Sequence, residues 1–434
     1  MKMMTSLLGM TALLTIASCS QPATDTSTLS ESGSASSPAT TTIETVAVKP
    51  GIEVLEADGF KKLAGKRVGL ITNPTGIDNN LRSTIDILAE APDVKLTALF
   101  APEHGVRGDY VAGASVANDV DKKTGEPVYS LHGRTRKPTP EMLKDVDILV
   151  YDIQDIGCRS YTFISTMGLA MEAAARDGKE FMGLDRPNPL GGERVEGNLV
   201  EPGRESFVGQ YPIPYIYGLT PGELATYLNE TGILGKKVQL TVIPMQGWRR
   251  DMTFAQTGMP WVLPSPHIPT PDAALMYPAT GIMGELDYVS IGVGYTLPFS
   301  LAGAPWIDAP ALADRLNALG LDGVEFRPIY YKPFYAMFKD ENLAGVQIYA
   351  NDKSQAPLSI LQFYIMQELA ALHPNHKAFA SATQARLRMF DQVCGSPKVR
   401  QLFSRQYKVA DMIEFWTKDA KAFKDASSKY YLYK

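Results

Sequence analysis

Residues 94–109 read Val94-Lys-Leu-Thr-Ala-Leu-Phe-Ala-Pro-Glu-His-Gly-Val-Arg-Gly-Asp109. Val94 to Phe100 is a short, mostly apolar run of the kind that forms a buried strand. Pro102 cannot donate to a sheet ladder, so the strand ends near Ala101. Glu103 and His104 therefore fall just past its carboxyl end, where open α/β sheets place their ligands. Gly105 and Gly108 permit a tight turn around them. Glu103, His104, Arg107 and Asp109 carry more ionisable chemistry than a connection needs, which favours a functional loop over a charged surface turn.

The flanking sequence repeats the pattern. Lys66 to Thr72 reads as a strand ended by the turn cluster Asn73-Pro-Thr-Gly76, and Ser83 to Glu90 has helical spacing. Strand, helix and strand with short connections form a βαβ unit, which implies parallel pairing. Asp147 to Tyr151 is a further strand running into Asp152-Ile-Gln-Asp-Ile-Gly-Cys-Arg-Ser-Tyr161. After an Ala-rich helix at 166–177, the strand Glu180 to Leu184 ends in Asp185-Arg-Pro-Asn-Pro-Leu-Gly-Gly192. Three strands thus end in polar clusters: Glu103/His104, then Asp152/Gln154/Asp155/Arg159, then Asp185/Arg186/Asn188. In a parallel sheet these lie on one edge and predict a cleft there. No Gly-rich phosphate cradle follows the first strand, which argues against nucleotide chemistry.

The chain has 434 residues, net charge −5 and 45% hydrophobic residues. It lacks the basic excess of a nucleic-acid binder. Met1-Lys2 and the apolar run Leu7 to Ile16 form a signal-peptide pattern too short to span a bilayer, and Ile16-Ala-Ser-Cys19 resembles a bacterial lipobox. We read residues 1–18 as a lipoprotein signal and Cys19 as the lipidated residue. Ser20 rather than Asp follows, so the expected location is the periplasm, anchored to the outer membrane. The Ser/Thr/Ala-rich stretch 19–48 reads as a tether unable to bury enough apolar surface to fold. Some 385 residues remain, enough for two domains. Cys158 and Cys394 are either a disulfide or two buried thiols, and no CxxC spacing exists.

Further along, Thr220-Pro221 starts a helix with Glu223 in its first turn, and Lys237 to Ile243 is a strand. Five prolines between 260 and 271 stiffen a segment around Ser265 and His267, suited to a cleft wall between domains. Beyond it, helices are expected at 311–319, 358–372 and 378–391, with strands at 324–328 and 345–349. We place a catalytic domain at 49–267 and a smaller α+β domain at 268–434.

The strings Phe100-Ala-Pro-Glu-His-Gly-Val-Arg-Gly108, Tyr151-Asp-Ile-Gln-Asp-Ile-Gly157 and Leu184-Asp-Arg-Pro-Asn-Pro-Leu-Gly-Gly192 resemble the NamZ-type exo-β-N-acetylmuramidases. So do Pro264-Ser-Pro-His-Ile-Pro-Thr270 and Gly303-Ala-Pro-Trp-Ile307. The resemblance spans residues 50–434. It implies a Rossmann-like parallel-sheet N-terminal domain, a smaller C-terminal domain and an active-site cleft between them. It also implies hydrolysis of non-reducing-end N-acetylmuramic acid from peptidoglycan fragments, without metal or other cofactor. One departure stands out: many relatives read Ser-Glu-Gly-Arg-Gly-Thr-Thr where this chain has Ser290-Ile-Gly-Val-Gly-Tyr-Thr296, so Ile291 and Val293 replace a Glu and an Arg.

Glycoside hydrolysis needs a proton on the leaving oxygen and support for an oxocarbenium-like transition state, usually from two carboxyl groups. Glu103 is the candidate general acid, since desolvation at a strand end raises a carboxyl pKa. The second carboxylate is Asp152, Asp155, Asp185 or Glu285, with Asp185 and Glu285 carried as catalytic candidates; substrate assistance by the 2-acetamido group is a further route. A lactyl carboxylate calls for a guanidinium, from Arg159 or Arg186, with Arg107 behind them. His104, His267, Gln154, Asn188 and Tyr161 complete the expected binding set, and no His spacing suggests a metal. Two rivals remain: a muropeptide-binding lipoprotein without turnover, and a hydrolase of another bond, for which no GxSxG elbow or Cys-His pair exists.

Overall fold

The computed structural model describes residues 47–108 and 119–434. Cys19, the signal and most of the tether lie outside the described residues, as does Asp109. The first half of the chain forms, in order, α1 (Gly51–Ala57), β1 (Arg67–Thr72), α2 (Thr84–Glu90), β2 (Lys95–Ala101), β3 (Asp119–Val120) and β4 (Pro127–Ser130). It continues with β5 (Ile148–Asp152), α3 (Phe163–Asp177), β6 (Glu180–Leu184), α4 (Pro221–Glu230) and β7 (Gln239–Ile243).

These strands make a seven-stranded sheet in the order β3-β4-β2-β1-β5-β6-β7. All neighbours pair in parallel except β3, which runs antiparallel to β4 at the edge. The sheet is buried on both faces. Ile71, Phe100, Leu149, Tyr151 and Phe181 pack against α3 and α4 on one side. Leu70, Leu99, Val150 and Met182 pack with residues of α1 and α2 on the other. Continuous apolar strands follow from helices covering both faces. Ser83 caps α2 by accepting from the Asp86 amide, and Thr220 and Glu223 form a capping box on α4.

The second half contains α5 (Pro271–Gly284), β8 (Leu301–Ala304), α6 (Ala309–Asn317), β9 (Val324–Tyr331), β10 (Leu343–Ala350) and α7 (Leu358–Leu372). It closes with α8 (Gln384–Cys394), α9 (Pro397–Phe403), α10 (Ile413–Thr417) and α11 (Ala420–Ser427). Its three strands form a separate antiparallel sheet, β8-β10-β9. The helix expected at 378–391 instead starts at Gln384, because Thr383 supplies the N-cap by accepting from the Arg386 amide.

The chain's end does not stay with this second half. Phe423 joins the apolar layer beside α3 and α4. The Tyr433 hydroxyl donates to Asp185 at 2.5 Å and accepts from the Met245 amide at 2.8 Å. Arg250 donates from its amide to the Lys434 carbonyl at 3.0 Å and lays its guanidinium 3.4 Å from the Tyr431 ring. Cys158 and Cys394 are both buried free thiols.

Candidate active site

Beyond the carboxyl end of β2 lies a cavity of about 400 Å³. Its first wall is the turn carrying Glu103 and His104 together with Ser160, Tyr161 and Thr162 from the loop between β5 and α3. The opposite wall comes from Ser265 and His267 of the Pro-rich segment, Tyr277 on α5, and Glu285 to Phe299 after it. Thus the expected cleft forms where the two halves meet.

His104 sits at φ +74° and Gly105 at +79°. A histidine in the left-handed region is uncommon and costs conformational energy, which proteins retain mainly at functional positions. The turn directs the Glu103 carboxylate towards α3, where Oε2 accepts from the Thr162 hydroxyl at 3.1 Å. His132 Nδ1 stands 4.0 Å from the same oxygen. His132 follows β4 as Glu103 follows β2, and the sequence reading missed it because β4 was not recognised.

Glu285 and Asp287 also line the cavity, and Glu285 is the more buried of the two. Burial pushes its pKa up and nearby Asp287 adds to this, while Arg386, paired with Asp287 at 2.5 Å, opposes it. Tyr277 lies within the field of both Glu285 and Glu103, and its hydroxyl is 3.2 Å from Ser160 Oγ. Burial first, then Cys158, Glu285 and Glu103, push the pKa of that phenol up. His267 holds the Tyr335 hydroxyl on Nδ1 at 3.2 Å, and burial together with His104 lowers its pKa. Ile291 and Val293 both line the cavity, so the departure noted in the sequence falls on its wall.

The other predicted residues sit elsewhere. Arg186 grips Asp152 with Nε at 2.5 Å and Nη2 at 2.9 Å, and reaches the Ile77 carbonyl at 2.7 Å. Thr84 also donates to Asp152. This pair fills the junction between β1 and β5, where the strand order reverses; a void of only about 10 Å³ remains beside Arg186 and Gln154. Arg159 is 1% exposed and donates to the carbonyls of Asn198, Ile213 and Val393. Arg107 forms a bidentate pair with Asp121, both bonds at 3.0 Å. The three guanidiniums expected to meet substrate are thus each paired within the protein and outside the cavity lining.

Asp185 is likewise internal and fully buried. It accepts from Thr220 Oγ1 at 2.7 Å, the Gly222 amide at 2.7 Å and Tyr433, so it ties β6 to the start of α4 and to the chain's end. Burial raises its pKa to about 7 against those bonds. Asp155 accepts from the Tyr217 hydroxyl at 2.6 Å and the Gly157 amide at 2.8 Å, and burial raises it to about 6. Gln154 donates to the carbonyls of Asp155 and Pro187. Asn188 donates to the Leu219 carbonyl at 3.0 Å and packs on Gly157, where a Cβ would fall 2.2 Å from its Oδ1. Of the predicted set, Glu103, His104, Tyr161, His267 and Glu285 share the cavity.

A second hollow, about 640 Å³, opens between residues 189–197 and 353–360. Arg194 there is bound to Glu196 and to backbone carbonyls, and Lys424 to the Glu193 carbonyl, so these cations are committed to the protein's own structure.

Two family descriptions match in tandem: the N-terminal part of the exo-β-N-acetylmuramidase NamZ over residues 68–272 and its C-terminal part over 275–433. A Bacillus subtilis (strain 168) protein named peptidoglycan β-N-acetylmuramidase NamZ is 45% identical over 386 residues, spanning 89% of this chain and 91% of its own. The crystal structure of a DUF1343 family protein from Bacteroides fragilis NCTC 9343 superposes with a TM-score of 0.87 at 57% identity, covering 90% of this chain and 100% of that one. A second DUF1343 structure from the same strain gives 0.68 at 28% identity, covering 89% and 99%. With both halves matched in order and the acid-bearing turn at their junction, the chain belongs to the NamZ exo-β-N-acetylmuramidase family.

Proposed function

We propose that the chain is an exo-acting glycoside hydrolase that releases N-acetylmuramic acid from the non-reducing end of peptidoglycan fragments. The observation that carries this reading is one cavity lined by Glu103 from the first half and Glu285 from the second. Carboxyl groups from both halves facing one cavity supply the kind of acid and charge support that glycosidic cleavage uses. Glu103, oriented by Thr162, hands its proton to the departing glycosidic oxygen, and His132 stands 4.0 Å behind it. Glu285, when ionised, supports the positive charge that develops at the anomeric carbon.

With Arg107, Arg159 and Arg186 committed to internal partners, recognition of the lactyl group passes to His104 and His267 and to the hydroxyls of Ser160 and Ser265. We further propose attachment to the outer membrane through Cys19, facing the periplasm, a reading supported by the lipobox-like Ile16-Ala-Ser-Cys19 and the tether behind it.

The test is incubation with N-acetylmuramyl-β-1,4-N-acetylglucosamine. The wild type releases free N-acetylmuramic acid and Glu103→Gln does not. Saturable binding without release by the wild type would instead identify a muropeptide-binding protein using the same cavity.

A further inference from the structure

The loop from Lys332 to Asn342 joins β9 to β10 and holds three non-glycine residues in the left-handed region: Ala336 at φ +64°, Phe338 at +57° and Asp340 at +64°. Such a run persists only where its surroundings over-determine it. The Phe334 amide donates to the Gly294 carbonyl at 2.7 Å, and the Asp340 amide to the Pro333 carbonyl at 2.9 Å. Gly294 itself has φ +91°, and a Cβ there would fall 1.9 Å from the Tyr335 carbonyl oxygen.

This framework turns Phe338 inward against the core and Phe334 and Tyr335 outward, 63% and 49% exposed. With Tyr330, they are three of the eight exposed large hydrophobic side chains among the described residues, all within six positions. A cluster of that kind on a water-facing surface marks a contact site. Its position says for what. Ala336 and Met337, next in the chain, line the cavity. The Tyr335 ring lies 5.8 Å from His267 at 25°, and Phe334 lies 5.8 Å from Tyr295 at 26°. Tyr335 therefore continues outward from His267 on the cavity wall, and Phe334 beside it stacks on Tyr295, two residues beyond the lining residue Val293.

At about 400 Å³ the cavity is near the lower end of small-molecule sites, which span about 300–1,000 Å³. A space of that size suits one sugar residue rather than two, so the rest of a bound saccharide would leave through the mouth. We propose that Phe334 and Tyr335 form the platform on which the sugar on the leaving-group side of the scissile bond stacks. The apolar C–H face of a pyranose meets the electron-rich face of the ring, and the platform selects a second hexosamine in place of a small aglycone. This inference rests on the glycosidase reading for its direction.

Two substrates differing only in that second ring test it: N-acetylmuramyl-β-1,4-N-acetylglucosamine and methyl β-N-acetylmuraminide. Phe334→Ala should lower kcat/KM for the disaccharide about 3- to 10-fold more than for the methyl glycoside. Phe334→Tyr should restore the ratio, whereas Phe334→Leu should not. Equal losses on both substrates, or a ratio within twofold of wild type, would overturn the platform. Saturation-transfer NMR with N,N′-diacetylchitobiose as probe reads the platform without turnover. Contact that Phe334→Ala abolishes supports it even if neither substrate is cleaved, in which case the glycosidase reading fails alone; no contact with the wild type refutes the platform.

Discussion

Replacing Arg186 by Met distinguishes a ligand-binding guanidinium from a structural one. Arg186 and Asp152 have side chains 2% and 0% exposed, joined by two bonds at 2.5 and 2.9 Å. Met matches the aliphatic stem but leaves the Asp152 carboxylate without its cation and the Ile77 carbonyl without its donor. Breaking one side of a buried ion pair costs about 3–5 kcal/mol, because the remaining charge stays desolvated. For a folded body of roughly 380 residues, an unfolding entropy near 2.1 cal/mol/K per residue gives about 0.8 kcal/mol/K. The expected fall in Tm is then about 4–6 °C, measured by calorimetry or circular dichroism. A double variant, Asp152→Asn with Arg186→Met, removes both charges and should recover at least half of that loss. An unchanged Tm with a raised KM for muropeptide would refute the structural assignment and return Arg186 to the substrate.

Other consequences follow from the same geometry. Asp185, with a pKa raised to about 7 in the folded chain, binds its proton more tightly than the unfolded chain does. Its contribution is therefore complete below about pH 4 and is lost as pH rises to about 7. Asp185→Asn should flatten the decline of unfolding free energy between pH 5 and 7 by up to about 1.4 kcal/mol per pH unit, read from urea titrations. Arg386 opposes the raised pKa of Glu285, so Arg386→Gln should shift the acid limb of kcat/KM upward; no shift, or a downward one, would detach Glu285 from that limb. Burial pushes the Cys158 thiol up to about 12 and Cys394 well above its usual value. Neither should react with a disulfide reagent until denaturant is added, when both become reactive.

Much of the fold was legible because parallel strands buried on both faces read as plain apolar runs, as in Leu96–Ala101, Ile148–Tyr151 and Phe181–Leu184. β4 and β8 were not. Pro127-Val-Tyr-Ser is short and opens on a proline, and Leu301-Ala-Gly-Ala lacks the β-branched residues that signal a strand. Losing β4 also hid His132.

The site was legible in part for a different reason. A polar cluster after a strand looks the same in sequence whether it faces a ligand or its own protein. Glu103 opens onto the cavity, but Asp185 meets Tyr433 from 248 positions away and Arg159 meets Val393 from 234 away. No local pattern could have announced those partners. The candidates for the second carboxyl group follow the same logic: Asp152, Asp155 and Asp185 are enclosed, and of the four only Glu285 lines the cavity.

In the proposed function, Glu103 delivers the proton to the leaving oxygen. The direct measurement is kcat/KM of Glu103→Gln relative to wild type across aryl β-N-acetylmuraminides of falling leaving-group pKa. A missing general acid hurts poor leaving groups most, so the variant should be slower by about 10²–10⁴-fold on the most basic phenol and recover steeply towards 2,4-dinitrophenyl. A constant deficit across the series, or none at all, would remove Glu103 from the role of general acid.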